Sequence, residues 1–357
     1  MITFFDLLQN DDFRGFVKNR IAANTEEPYS FPKVFPLLYR YRSLSSYSID
    51  DIMKKQITLT SIGEFNDIFD GAFHQYGTME KIEEAAEKKW SEIEALRIKA
   101  HLPDDLLQKN SIIYPFIEHL KTESRRKFRE LDYLGTYVCC FSKDNSSTLM
   151  WAHYADANKG LCIEYDFNRL PSESFLRKTI FPIAYTSKPI DVSDLLTDIG
   201  NRIYQYPLDA AVLCTALNKA SMWQYEQEWR IVCVLAPSSG KDRRLAFNSY
   251  ILPSKVYLGY HFLKPFFYYK NEEPEYKNCA ESIKRFMNLI SYLQNNEIKV
   301  AVMVPLVGSY QFTSCDISID ELHEIMCRFF HDGEPKNMRY YYVIHDYLMD
   351  LIEKNKG

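Results

Sequence analysis

YVCCFSKDNSSTLMWAHYADANKGLCIEYDF, residues 137–167, changes character several times over a short span. An apolar run ends at Ser142, as a buried strand does. Residues 143–147 are polar and suited to capping a helix. Residues 148–157 read as a short helix that crowds Met150, Trp151, His153 and Tyr154 together. Lys159 and Gly160 end it, with glycine supplying a left-handed turn. Residues 161–167 return to strand. The stretch therefore predicts strand, turn, helix, turn, strand.

The same irregular mixing continues outward. Upstream, residues 34–41 and 57–60 read as strands around a short helix, 48–55, capped by Ser48. Residues 3–25 carry Phe4, Leu7, Leu8, Phe13 and Phe16 at helical spacing. Downstream, strands are expected at 183–185, 228–235, 255–258 and 298–305, and helices at 195–217, 280–295, 319–331 and 340–355. Residues 79–132 are rich in Glu and Lys and read as a helical pair inserted into the core, its charges solvated. Strands and helices that alternate without a regular βαβ rhythm predict an α+β fold. The expected division is an N-terminal helix in 1–30, a core over 34–310 and a helical tail over 311–357.

Composition narrows the function. Hydrophobic residues are 46% and charged residues 25%, so the chain is built to fold around a core. A formal net charge of -5 speaks against sequence-blind nucleic-acid binding, which needs a strongly basic face. The eight Cys form no CxxC pair and lie mostly in apolar runs, where they act as small reduced hydrophobes. The eight His are scattered, and no metal site is expected. The start, MITFFDLLQNDDFRGF, lacks the basic segment of a signal peptide, and no apolar run reaches the ~20 residues that span a bilayer. A cytoplasmic location and no membrane partner follow as expectations.

Three segments carry chemistry. In LLYRYRS, residues 37–43, a strand puts Tyr39 and Tyr41 on one face and Arg40 and Arg42 on the other. An arginine offers phosphate or carboxylate a planar fork of donors. FNDIFD, residues 65–70, sets Asn66, Asp67 and Asp70 beside two Phe, either as cleft residues or as turn caps. His153 is a proton shuttle or a satisfied helix residue. In MWQYEQEWRIV, residues 222–232, Glu226 and Glu228 stand two apart at a strand start and so share a face. Like charges in one cleft raise one pKa. The plain alternative is an edge-strand Glu pair balanced by Arg230.

Together the segments resemble an uncharacterised bacterial domain-of-unknown-function family. Its marks are a Tyr-x-Tyr-Arg strand, FND-x-FD, W-x-HYA-x(4)-KG and YE-x-EWR, matched by residues 39–42, 65–70, 151–160 and 225–230. The order of segments is also distantly similar to the ADP-ribosyltransferase superfamily. There an Arg-bearing strand, a strand ending in Ser, a helix, a glycine turn and a Glu-x-Glu strand follow one another. Arg40 is followed here by Tyr41 where that family often has Gly, and Ser142 lacks the Ser-Thr-Ser triplet.

That second resemblance implies a split β-sheet core and NAD as substrate. It implies Glu228 as the catalytic carboxylate and Glu226 as the group that positions or deprotonates the acceptor. Arg40 would bind phosphate or ribose, Ser142 the nicotinamide ribose, and Tyr39, Tyr41 or Trp151 would stack on nicotinamide. Arg42, Asn66, Asp67, Asp70, His153, Tyr154 and Arg230 would line or brace the cleft. The implied activity is transfer of ADP-ribose to an unknown nucleic-acid or protein acceptor, as by a toxin or phage-defence effector. Two other readings fit the same residues. One is a metal-dependent phosphodiesterase or nuclease, with Asp67, Asp70 and the Glu pair holding magnesium. The other is a binding module without catalysis.

Overall fold

Ten strands form one mixed sheet: β1 Leu38–Arg42, β2 Gln56–Ser61, β3 Thr136–Ser142, β4 Leu161–Tyr165, β5 Ile180–Pro182, β6 Glu228–Val234, β7 Arg244–Asn248, β8 Lys255–Leu258, β9 Lys299–Pro305 and β10 Phe312–Ile317. This computed structural model describes residues 4–67, 69–71, 73–74, 79–127, 135–192, 195, 207–234, 244–248, 251–268, 273–330 and 334–354. The main path runs β7–β2–β3–β1–β4–β8–β9–β10, with β6 laid along β3 and β5 beyond it. Among the described pairings of this sheet, β8 with β9 alone is parallel. A parallel pair needs a long crossover, and the helix Glu273–Asn295 supplies it. The fold is α+β, as the irregular order of elements predicts.

Strand β3 is apolar from Tyr137 to Phe141 because both of its faces are covered. Tyr137, Cys139 and Phe141 join the larger core, which also takes Ile283, Phe286, Leu289, Ile290 and Leu293 from the crossover helix. Val138 and Cys140 join a second core with Phe181, Val232 and the helix Pro207–Ala216. Two N-terminal helices, α1 Phe4–Gln9 and α2 Asp11–Ala22, close that second core with Phe4, Leu8, Val17 and Ile21.

Several expectations are corrected in detail. The helix expected over 3–25 is two helices, because the Asn10 side chain accepts the Phe13 amide proton (2.9 Å) and restarts the chain as an N-cap. The first strand begins at Leu38 rather than at residue 34. The next helix, α3 Ser46–Met53, is capped by Ser45; Ser48 lies inside it. Gly160 does not supply a left-handed turn: Asp156, Ala157 and Asn158 take the positive φ angles (49°, 52° and 66°). Glycine is required at 160 because a β-carbon there would sit 2.1 Å from the Arg42 carbonyl oxygen. The insertion is a helical pair, α4 Met79–Lys99 and α5 Lys109–Lys127. Part of the helix expected over 195–217, and residues 128–132 of the insertion, lie outside the described residues. The tail is not purely helical, since residues 312–317 add β10 to the sheet. Its two helices, Ile319–Phe329 and Tyr341–Lys354, then pack Leu322, Ile325, Met326, Ile344 and Leu348 into the larger core.

Candidate functional site

The site originates in the pairing of β3. Strand β6 follows one edge of β3 for its whole length, from Glu228 opposite Ser142 to Val234 opposite Thr136. The other edge is shared: β2 docks at Tyr137 and Val138, and β1 at Ser142. Between those points β1 and β2 diverge and the sheet splits. The split opens a cleft of about 210 Å³. Register sets Tyr39, Ser142 and Glu228 in one row across β1, β3 and β6, so all three face the same way. Tyr39, Arg40, Tyr41, Arg42, Asn66, Asp70, Ser142, Tyr154, Glu226 and Glu228 all line the cleft.

A buried ionic network is built into the wall: Asp70, Lys219, Glu226 and Glu228 line the cleft, and Arg230 lies behind them. Arg230, fully buried, grips Glu228 with Nε (2.7 Å) and a terminal nitrogen (3.0 Å). Its guanidinium also donates to both oxygens of Asp70 (2.6 and 2.5 Å) and to the Ala216 carbonyl (2.8 Å). Lys219 donates to Glu226 and to Glu228 Oε2 (3.0 Å) and stands 3.6 Å from Asp70. The Tyr154 hydroxyl donates to the free oxygen of Glu226 (2.6 Å). Three carboxylates thus meet two cations, a formal charge of one negative.

Glu226 and Glu228 do not share a strand face as expected: Glu226 ends a 3-10 turn, Ser221–Glu226, Gln227 takes a left-handed φ of 45°, and β6 begins only at Glu228, so the two meet through this turn. They also differ electrostatically. Burial pushes Glu228 up, but Arg230 and then Lys219 outweigh it and hold its pKa at about 2. Burial lifts Glu226 above the usual carboxylate range; Lys219 opposes this and Glu228 adds to it. Burial pulls Lys219 down, yet Glu228, Asp70 and Glu226 together keep it above its ordinary value. Burial, then the Glu226 carboxylate, raises Tyr154.

Arg40 spans the split. It projects to the face opposite Tyr39, donates to the Thr58 carbonyl (2.7 Å) and lies 3.6 Å from Asp51. The Ser142 hydroxyl donates to the Glu226 carbonyl (2.7 Å) and accepts the Asp144 amide proton (3.0 Å), which ties the turn after β3 to the turn before β6. The Tyr41 hydroxyl donates to the Asp144 carbonyl (2.7 Å). Burial, then Glu164, pushes Tyr39 up to about 12.

Besides Arg230, three expected residues lie apart from the lining. Trp151 is fully buried on the short helix Thr148–Tyr154, its edge against Tyr41 and its indole N–H donating to the Asn145 carbonyl (2.7 Å), so it has no free face for a ligand. His153 is exposed on the same helix. Asp67 accepts the Phe69 amide proton (2.9 Å), the turn-capping alternative for FNDIFD.

Lys219 was not among the residues singled out from the sequence. Its signal there is a lone charge in the apolar run ALNKASMW. Its ammonium stands among the carboxylates that the magnesium reading assigns to a metal. Among the described residues, no group of three or more His, Cys, Asp or Glu side chains is arranged to hold a metal ion.

Residues 150–231 match the model of a family described as "Protein of unknown function (DUF2971)". The DUF2971 match takes in the helix bearing Tyr154, strands β4 and β5, Lys219 and the Glu226–Arg230 segment; β1 and residues 65–70 lie outside it. No curated protein matches the chain, and no solved structure does. No described helix is long and apolar enough to cross a membrane.

Proposed function

We propose that the cleft binds NAD and supports ADP-ribosyl transfer to a nucleic-acid or protein acceptor. One observation carries the reading: the Arg-bearing strand, the strand ending in Ser142 and the turn and strand that carry Glu226 and Glu228 meet at the split of one sheet, with Tyr39, Ser142 and Glu228 in register. Cleavage of the nicotinamide–ribose bond develops positive charge on the sugar. Carboxylates held in place beforehand, in a cluster with an excess negative charge, stabilise such charge without reorganising. The cavity is smaller than the roughly 300–1,000 Å³ usual for ligand pockets, which suits the nicotinamide and its ribose, the rest of the dinucleotide lying in the open part of the cleft. On this reading Glu228 supplies the charge, Glu226 and Tyr154 face the acceptor, and Tyr39 offers a ring to nicotinamide.

The test is nicotinamide release from NAD by the purified chain, with cell lysate as acceptor source and Glu226→Gln and Glu228→Gln as controls. Release that falls at least about 100-fold in either variant is expected. No release with any acceptor mixture, or release unchanged in both variants, overturns the reading. A second reading, a binding module without catalysis, is favoured by the way Arg230 and Lys219 already occupy both oxygens of Glu228.

A further inference from the structure

We propose that Lys219 is a positioning residue for this cleft: its single ammonium aims the Glu226 carboxylate at Tyr154 and holds Glu226 and Glu228 side by side. The activity arm of the test below rests on the NAD reading; the rest stands without it.

Local structure delivers the lysine. The short strand Asn218–Ala220 pairs in parallel with Ala184–Thr186, so Lys219 lies opposite Tyr185, whose hydroxyl oxygen accepts the Glu228 amide proton (2.7 Å). The strand is thereby tied to the start of β6. Lys219 is only 6% exposed, and its Nζ lies 5.1 Å from the centre of the Trp223 ring. An ammonium has three protons and no planar preference, so one nitrogen serves carboxylates that approach from different directions.

The consequence falls on Glu226. One of its oxygens is held by Lys219 and the other receives the Tyr154 hydroxyl proton (2.6 Å), so its plane is set from both ends. Glu228 and Tyr225 also act on Glu226, with Asp70 and Arg230 completing the network behind. Without Lys219, three carboxylates would face Arg230 alone, and Glu226 would lose the cation that holds one of its oxygens in the cleft wall. A purely structural lysine would affect stability; a positioning lysine also sets where and when Glu226 carries its proton.

The experiment uses the full chain and the variants Lys219→Met and Lys219→Arg. Nicotinamide release is followed against pH, and the Glu226 carboxyl carbon is titrated by NMR. Lys219→Met is expected to lower kcat about 100-fold with KM within about twofold. The Glu226 midpoint should rise by more than about one pH unit. Lys219→Arg should recover most of both effects. Wild-type kcat in Lys219→Met, or the same Glu226 midpoint in both chains, overturns the proposal. If the wild-type chain releases no nicotinamide, the NAD reading falls alone and the Glu226 midpoint decides the role of Lys219. If Lys219→Met does not fold, the wild-type chain is enough. Its Lys219 ammonium resonance must move at the Glu226 midpoint, and a resonance that ignores that midpoint overturns the proposal.

Discussion

At the scale of single residues, the decisive side chains are Arg230 and Lys219, because both are charged and buried. A buried ion pair adds little over a well-packed apolar pair, but removing one partner strands the other. Arg230→Met should therefore cost about 3–5 kcal/mol, since it leaves Asp70 and Glu228 without their guanidinium. Chemical denaturation of both chains measures it, and a loss below about 1 kcal/mol would show that water or Lys219 takes over. Glu226, Glu228 and Arg230 were legible as residues because charge at the head of an apolar strand stands out, and Asp70 because FNDIFD sets it beside two Phe. Their pairing was not, as Asp70 is far from Arg230 along the chain.

At the scale of elements, the turn after Tyr154 shows how much depends on where two strands pass each other. It puts three successive non-glycine residues in the left-handed region and then brings Gly160 against the Arg42 backbone. Ala157→Gly should relieve strain and stabilise the chain by about 0.5–1 kcal/mol. Gly160→Ala should do the opposite and destabilise by at least about 2 kcal/mol, because its contact is with backbone that cannot swing away. Thermal unfolding of the two variants checks both signs; equal midpoints would refute this account of the turn. The existence of the strand–helix–strand unit was readable from apolar runs and a polar turn. The reason for its glycine was not, because close approach of β1 is a tertiary fact.

At the scale of the molecule, the tail is stitched to the core by titratable groups. His261 Nδ1 and the Tyr341 hydroxyl share a hydrogen bond (2.7 Å), and Tyr260, Lys264 and His345 crowd the same seam. Burial, then Lys264 and His345, holds His261 down at about 4. The folded chain therefore keeps this ring neutral where the unfolded chain protonates it. Its contribution is complete above about pH 6.5 and is lost as pH falls from there toward 4. Glu228, held at about 2, adds a second loss that begins near pH 4.5 and runs downward. Melting temperature should thus be flat above pH 6.5, fall between 6.5 and 4.5, and fall further below. His261→Asn should flatten the upper step, and a wild-type midpoint constant from pH 7.5 to 5 would contradict the assignment.

Local patterns suffice for the α+β class, the apolar strands and most residue types at the candidate site, though not for Lys219, because strand burial, helix spacing and charge at strand ends are local properties. Contacts between distant segments settle which edge of β3 each neighbour takes, and hence that the sheet splits. They also settle that Trp151 is sealed behind Tyr41, that Arg40 bridges the split, and that Lys219 sits between Glu226 and Glu228. Each of these depends on strand register and on a shared edge between distant segments, and no local pattern encodes them.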